Sequence, residues 1–118
     1  MKKPSIKKRY GSIIEIVPAK IAEYKKLHAA VWPGILDMIR RCNIRNYSIY
    51  LRRLDDGKHY LFSYFEYVGT DFDGDMKMMV ADPLTQKWWD VCKPCQRPLG
   101  NRPPGEWWAN MEEVFHTD

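Results

Sequence analysis

Two strand-like runs, Asn46 to Leu54 (NYSIYLRRL) and Lys58 to Val68 (KHYLFSYFEYV), stand on either side of Asp55-Asp56-Gly57. Asp and Gly tolerate the left-handed backbone that tight turns need, so this short break predicts an antiparallel β-hairpin. The second run constrains the fold most. Its alternating sets, Leu61, Ser63, Phe65 and Tyr60, Phe62, Tyr64, are both largely apolar or aromatic. A strand that is apolar on two faces is buried on two faces. Whatever this chain folds into must therefore cover both sides of a sheet.

The flanking sequence says what the chain itself can supply. Arg9 to Val17 (RYGSIIEIV) is rich in β-branched residues and ends at Pro18, which suits the first turn of a helix. From Ala19 onward Ile21, Tyr24, His28 and Val31 recur at helical spacing, and a break is expected near Trp32 because Pro33 disfavours helix in the residue before it. A second helical piece runs from Gly34 to Cys42. After the hairpin, Asp71 to Val80 and Pro83 to Cys92 read as two short helices split by Asp82-Pro83. Six Pro and Gly residues between Pro94 and Gly105 then mark a long irregular loop, and Glu112 to His116 (EEVFH) reads as a last strand. The order strand, helix, strand, strand, helix, strand predicts an α+β fold of the ferredoxin-like, split βαβ type, with helices on one face of an antiparallel sheet. With no second layer of helices available, a partner subunit is the expected cover for the other face, giving a homodimer packed sheet to sheet.

At 118 residues the chain is expected to form a single domain, 1–118, in which residues 1–8 are a basic N-terminal tail. The formal charge of +4 could point to nucleic acid, but Lys2, Lys3, Lys7, Lys8 and Arg9 cluster at that one end and the other basic residues are interspersed with acids. A solvated tail explains most of the excess. The apolar run that follows is short and broken by Glu15, unlike a signal peptide, and no stretch is long enough for a membrane span. Three cysteines, an odd number, exclude a full disulfide framework and suit a reducing, cytoplasmic setting.

Tyr24, His28 and Trp32 follow one another at intervals of four. On a helix that spacing aligns side chains on one face, so a phenol and an imidazole would line one wall. An isolated histidine on an apolar face is more often a core residue bonded to a carbonyl. Against that stands its company: Tyr24, Trp32, Tyr47, Trp88 and Trp89 each join an apolar body to a hydrogen-bonding tip. A sugar suits such a mixture, since a pyranose offers C–H groups to an indole and hydroxyls to fixed donors and acceptors. Adjacent helical residues point about a hundred degrees apart, so one of Trp88 and Trp89 could face the sugar while the other packs.

Tyr24-x-x-x-His28-x-x-x-Trp32-Pro33, Asn46-Tyr47-x-Ile49-Tyr50-Leu51, Trp88-Trp89 and Glu112-Glu113-Val114-Phe115 together resemble the L-rhamnose mutarotase family, over about Arg9 to Phe115. The resemblance implies a ferredoxin-like dimer of the dimeric α/β barrel type. It implies an isomerase that interconverts the α and β anomers of L-rhamnose or a related deoxyhexose, with His28 as proton donor and Tyr24, Tyr47, Trp88 and Trp89 contacting the sugar. The lysine-rich start, an insert around Gly69 to Asp75 and the Pro-rich loop with Trp107-Trp108 depart from the family's shorter members and bear on the choice of sugar.

Anomer exchange by ring opening needs only acid–base catalysis, which a histidine with a pKa near ~6.5 can supply. No metal or other cofactor is called for, and the sequence shows neither clustered metal ligands nor a phosphate-binding glycine loop. The partner base is left open among Tyr24, Tyr47 and a bound water. Two rival readings share the topology: a haem-binding or oxygen-using enzyme with His28 as ligand, and a nucleic-acid-binding module. The second lacks its strand signature in GKHYLFSYFEYV. Cys92-Lys93-Pro94-Cys95 has the spacing of a redox or zinc motif, but it closes a helix rather than opening one, and reads as structural.

Overall fold

The computed structural model describes residues 8–118, so most of the expected basic tail lies outside the described residues. Lys8, assigned to that tail by sequence, instead opens the first strand, β1 (Lys8–Ile16). A single 3₁₀ turn at Pro18–Lys20 leads into α1 (Ile21–Ala29). The helix stops two residues before Trp32, whose extended backbone lets Pro33 start α2 (Pro33–Arg41). Asn43, at φ 64°, closes α2 in the left-handed conformation that Asn tolerates and turns the chain into β2 (Ile44–Arg53). After the expected hairpin come β3 (His59–Tyr67), α3 (Phe72–Ala81) and α4 (Pro83–Cys92). Asp71 and Asp82 cap the last two helices through their carboxylates, which accept from the Gly74 and Thr85 amides.

All strand pairs are antiparallel and the order across the sheet is β2-β3-β1-β4, the ferredoxin-like arrangement that the element order predicts. The sheet is curled into a half-barrel, and the helices pack against one of its faces, the inner face. The final strand departs from expectation. Two short strands share its place beside β1: β4 (Gln96–Arg97) opposite Ile16 and Glu15, and β5 (Ala109–Met111) opposite Ile13 to Gly11. The Pro-rich loop separates them. Glu112 to His116 carries no strand, which corrects the sequence reading. Beyond Met111 the pairing passes from backbone to side chains, as Arg9 forms a two-pronged ion pair with Glu113 at 2.8 and 2.9 Å, and Val114 and Phe115 stand exposed.

On the inner face, β1 presents Ser12, Ile14 and Ile16 beside Ser63 and Leu61 of β3. Ile14, Ile16 and Leu61 form the core with Tyr24 of α1, Ile35 of α2, and Trp88 and Cys92 of α4, joined by Cys95. The outer face is as apolar as the alternation demands. It carries Ile13, Phe62 and Tyr64, with Tyr50 64% exposed and Met111 43% exposed, and among the described residues no helix packs over these side chains.

Candidate active site

Between the inner face of the sheet and helices α1, α2, α3 and α4 lies a cavity of about 380 Å³. Its wall includes Tyr24, His28, Tyr47, Trp88 and Trp89, so every side chain singled out by sequence as catalytic or substrate-binding meets in one place. Each arrives by a different device. Tyr24 and His28 are one turn apart on α1, with their rings stacked at 4.0 Å between centroids. Trp88 comes from α4 and meets the imidazole edge-on at 5.3 Å. Trp32, although in step with Tyr24 and His28 in sequence, lies past the helix break. It buttresses Trp88 from behind, edge-on at 5.0 Å, rather than forming the wall.

Tyr47 depends on a β-bulge. Between Arg45 and Ser48 the pairing of β2 with β3 slips by one residue, and Asn46 takes φ 50° to absorb it. The slip places Tyr47 on the inner face against Phe65, at 5.6 Å between ring centroids. Asn46 is held by its amide, which donates to Glu66 at 2.6 Å.

The electrostatics of the wall follow from burial. Nδ1 of His28 donates to the carbonyl of Tyr24 at 2.9 Å. This is the bond a plain core histidine would make, but it uses one nitrogen and leaves Nε2 as the acceptor of the neutral ring. Burial holds the His28 pKa below its ordinary value, with the Tyr24 carbonyl working weakly the other way. At neutral pH the ring is therefore uncharged. Burial also raises the Tyr24 phenol, against the Gln96 amide that donates to its oxygen at 3.4 Å. The Tyr47 phenol is pushed up to about 12 by the protein packed around it, although 42% of the residue's surface stays open. Both phenols keep their protons and act as hydrogen-bond donors and acceptors.

Ser12, Ser63, Gln96 and Asn110 were not singled out by sequence as part of a site, whereas Trp107 and Trp108 belong to the Pro-rich loop that the sequence ties to the choice of sugar. Ser12 and Ser63 line the sheet side, and Gln96, Trp107, Trp108 and Asn110 line the edge formed by β4, β5 and the loop between them. Gln96 joins loop to helix, its carbonyl accepting from the Trp107 indole at 2.8 Å while its amide reaches Tyr24. Lys93 sits over both Trp89 and Trp107, at 5.9 and 5.2 Å from their ring centroids. The signal that could have found Ser12 and Ser63 is the strand alternation, which puts them on the same face as Ile14 and Leu61. Gln96 and Asn110 had no such signal, because their strands are two and three residues long. Among the described residues no group of three or more His, Cys, Asp or Glu is placed to hold a metal ion, and no helix is long and apolar enough to cross a membrane.

The family model of L-rhamnose mutarotase matches residues 9–117. The chain belongs to the L-rhamnose mutarotase family. It is 32% identical to an L-rhamnose mutarotase of Oceanobacillus iheyensis over 94% of this chain and 99% of that one, and 29% identical to one of Listeria monocytogenes over 92% and 96%. The crystal structure of an L-rhamnose mutarotase from Formosa agariphila, at 21% identity, superposes with a TM-score of 0.68 over 94% of this chain and 99% of that one. The structural likeness bears on the fold. The family match, with the named relatives, makes this chain an enzyme of the isomerase class and favours anomer interconversion over the haem-binding and nucleic-acid-binding rivals.

Membership also bears on the Cys-x-x-Cys segment. Cys92 and Cys95 are buried, unpaired thiols inside the core, and burial pushes the Cys92 thiol up to about 12, opposite to what a redox nucleophile needs. Replacing both with alanine should therefore lower the melting temperature while leaving the anomer-exchange rate of the folded protein close to wild type. Loss of turnover in a folded double variant would assign the thiols a chemical role.

Proposed function

We propose that the cavity binds L-rhamnose or a related deoxyhexose and interconverts its anomers, with His28 carrying the proton. The observation that supports this most is the state of His28, a neutral imidazole on a cavity wall whose Nδ1 is tied to the Tyr24 carbonyl and whose Nε2 is left with a lone pair. The oxygens O1 and O5 of a pyranose share one carbon, so a single nitrogen at the edge of C1 reaches both. Nε2 takes the proton of the O1 hydroxyl, the C1–O5 bond breaks as C1=O1 forms, and the imidazolium delivers the same proton to O5. After rotation about C1–C2 the neutral ring repeats the transfer in reverse, closing C1 on its other face. His28 is then proton donor at the ring oxygen, as the family resemblance implies, and needs no separately ionised partner.

In this reading Tyr24 and Tyr47 hold sugar hydroxyls, and Trp88 and Trp89 supply the apolar surface for the ring's C–H face. Saturation-difference NMR tests it by measuring exchange between the α and β signals of L-rhamnose. A folded enzyme that exchanges neither L-rhamnose nor any other deoxyhexose would sink it.

We further infer that a second copy of the chain covers the outer face of the sheet. Tyr50 and Met111 are open there beside Ile13 and Phe62, and such an apolar face on a curled sheet is the kind of surface that isologous dimers bury. Sedimentation at micromolar concentration should give twice the 14.0 kDa chain mass. A monomer at that concentration would refute the pairing. The unpaired thiols of Cys42, Cys92 and Cys95 suit a cytoplasmic enzyme.

A further inference from the structure

The register of the sheet lines up three polar side chains across its inner face. Ser63 of β3 stands opposite Ser12 of β1, and Ser12 stands opposite Asn110 of β5. All three border the same cavity as His28 and Tyr24. The next inward pair along β1 and β3 is Ile14 and Leu61, both fully packed aliphatics, so the polar row interrupts an apolar floor.

Both serines are buried, 8% and 6% exposed, and their hydroxyls are hydrogen-bonded to each other. A hydroxyl removed from water costs free energy unless it is bonded, and a single shared bond leaves most of the pair's capacity idle. One bond between two hydroxyls uses one donor and one lone pair. A second O–H and three lone pairs remain. Asn110 is held from the other side, where its amide nitrogen and backbone N–H donate to the Glu106 carboxylate at 3.2 and 3.1 Å. Its carbonyl oxygen is not used by those bonds.

We propose that Ser12, Ser63 and Asn110 form a hydroxyl-binding row on the cavity floor that recognises ring hydroxyls remote from C1 and determines which sugar is accepted. The proposal rests on the mutarotase reading above and adds a specificity site to it. The chemistry it selects is a vicinal diol. Two hydrogen-bonded hydroxyls lie about 2.7–2.8 Å apart, close to the separation of hydroxyls on adjacent ring carbons, so a serine pair can exchange donors and acceptors with such a diol one to one. The Asn110 carbonyl, one strand further across the sheet, accepts from a third hydroxyl.

The test is the Ser12→Ala/Ser63→Ala double variant, which removes both partners at once and so leaves neither stranded in the fold. Its melting temperature checks that the core is intact. Anomer exchange is measured by NMR across a range of L-rhamnose concentrations, and again with the 2-deoxy, 3-deoxy and 4-deoxy derivatives of L-rhamnose. Loss of two hydrogen bonds to the sugar should raise KM by about tenfold, with a smaller change in kcat. The two deoxy derivatives that each lack one member of the diol should be weakened in the wild type and lose less on mutation than L-rhamnose does, because one of the two hydroxyls the serines hold is already gone. An unchanged KM for L-rhamnose, or an equal loss for L-rhamnose and all three derivatives, overturns the row as a hydroxyl site while leaving the mutarotase reading standing. A wild-type enzyme that exchanges none of these sugars overturns both.

Discussion

His28→Asn should leave the fold standing and slow anomer exchange by about 10²–10⁴-fold, the usual effect of removing a general acid or base. Asparagine keeps a polar side chain that can still donate to the Tyr24 carbonyl, now made by Nδ1 at 2.9 Å, so the local packing has a substitute. What it lacks is a nitrogen that takes and returns a proton. Tyr24→Phe and Tyr47→Phe, each losing one hydroxyl, should weaken sugar binding by about 0.5–1.5 kcal/mol and touch the rate constant less. Exchange as fast as wild type in His28→Asn would make His28 a core histidine and end the proposed mechanism.

The same assignment has a pH dependence of definite sign. The proton shuttle starts from neutral His28, and burial keeps its pKa below the ordinary ~6.5. Activity should therefore be level from neutral to mildly alkaline pH and fall as pH drops through that lowered value. Stability moves in the same direction. The unfolded chain takes up the proton more readily than the folded one, so the contribution of a neutral His28 is present above the ordinary pKa and lost as pH falls through the folded value. A rate that declines between pH 7 and 8 would instead mean that the imidazolium is the active form.

Much of this arrangement is legible in the sequence because its signals are local. Asp55-Asp56-Gly57 marks the hairpin, Trp32-Pro33 breaks the helix, and Asp82 caps α4 where Asp82-Pro83 splits two helical patterns. The i, i+4 spacing of Tyr24 and His28 needs only a helix to become a stacked pair. Other parts depend on distant partners. β4 has two residues and exists because Ile16 and Glu15 are there to pair with and because Arg97 meets the Glu15 carboxylate at 3.0 Å. EEVFH has strand composition, yet beside the Lys8–Tyr10 end of β1 it is Glu113 meeting Arg9 by its side chain, and the β5 ladder ends at Met111 opposite Gly11. Tyr47 reaches the inner face through a bulge, and a bulge of one residue has no reliable mark in a run such as NYSIYLRRL. The serines were visible as members of an alternating set, but their pairing across β1 and β3 is a matter of register, which the sequence leaves open.

Trp88→Ala should be the most damaging single change to the fold of the site, and the comparison with Trp89→Ala separates packing from binding. Trp88 is 7% exposed, belongs to the core and carries both the edge of His28 and the edge of Trp32. Its removal deletes a large buried side chain and the support of two rings, an expected cost of about 3–5 kcal/mol. Set against a total stability of about 5–15 kcal/mol for a typical domain, that is enough to bring melting close to the assay temperature. Trp89, its neighbour on α4, is only half-buried and has Lys93 over its outer side. Trp89→Ala should leave most of the stability in place and act mainly on the sugar, raising KM through the loss of an apolar platform. Thermal melts and concentration-dependent exchange on both variants check this. If Trp89→Ala unfolds the protein as readily as Trp88→Ala, or leaves KM at the wild-type value, Trp89 is a packing residue, and Trp88 is the member of the pair left to meet the ring of the sugar.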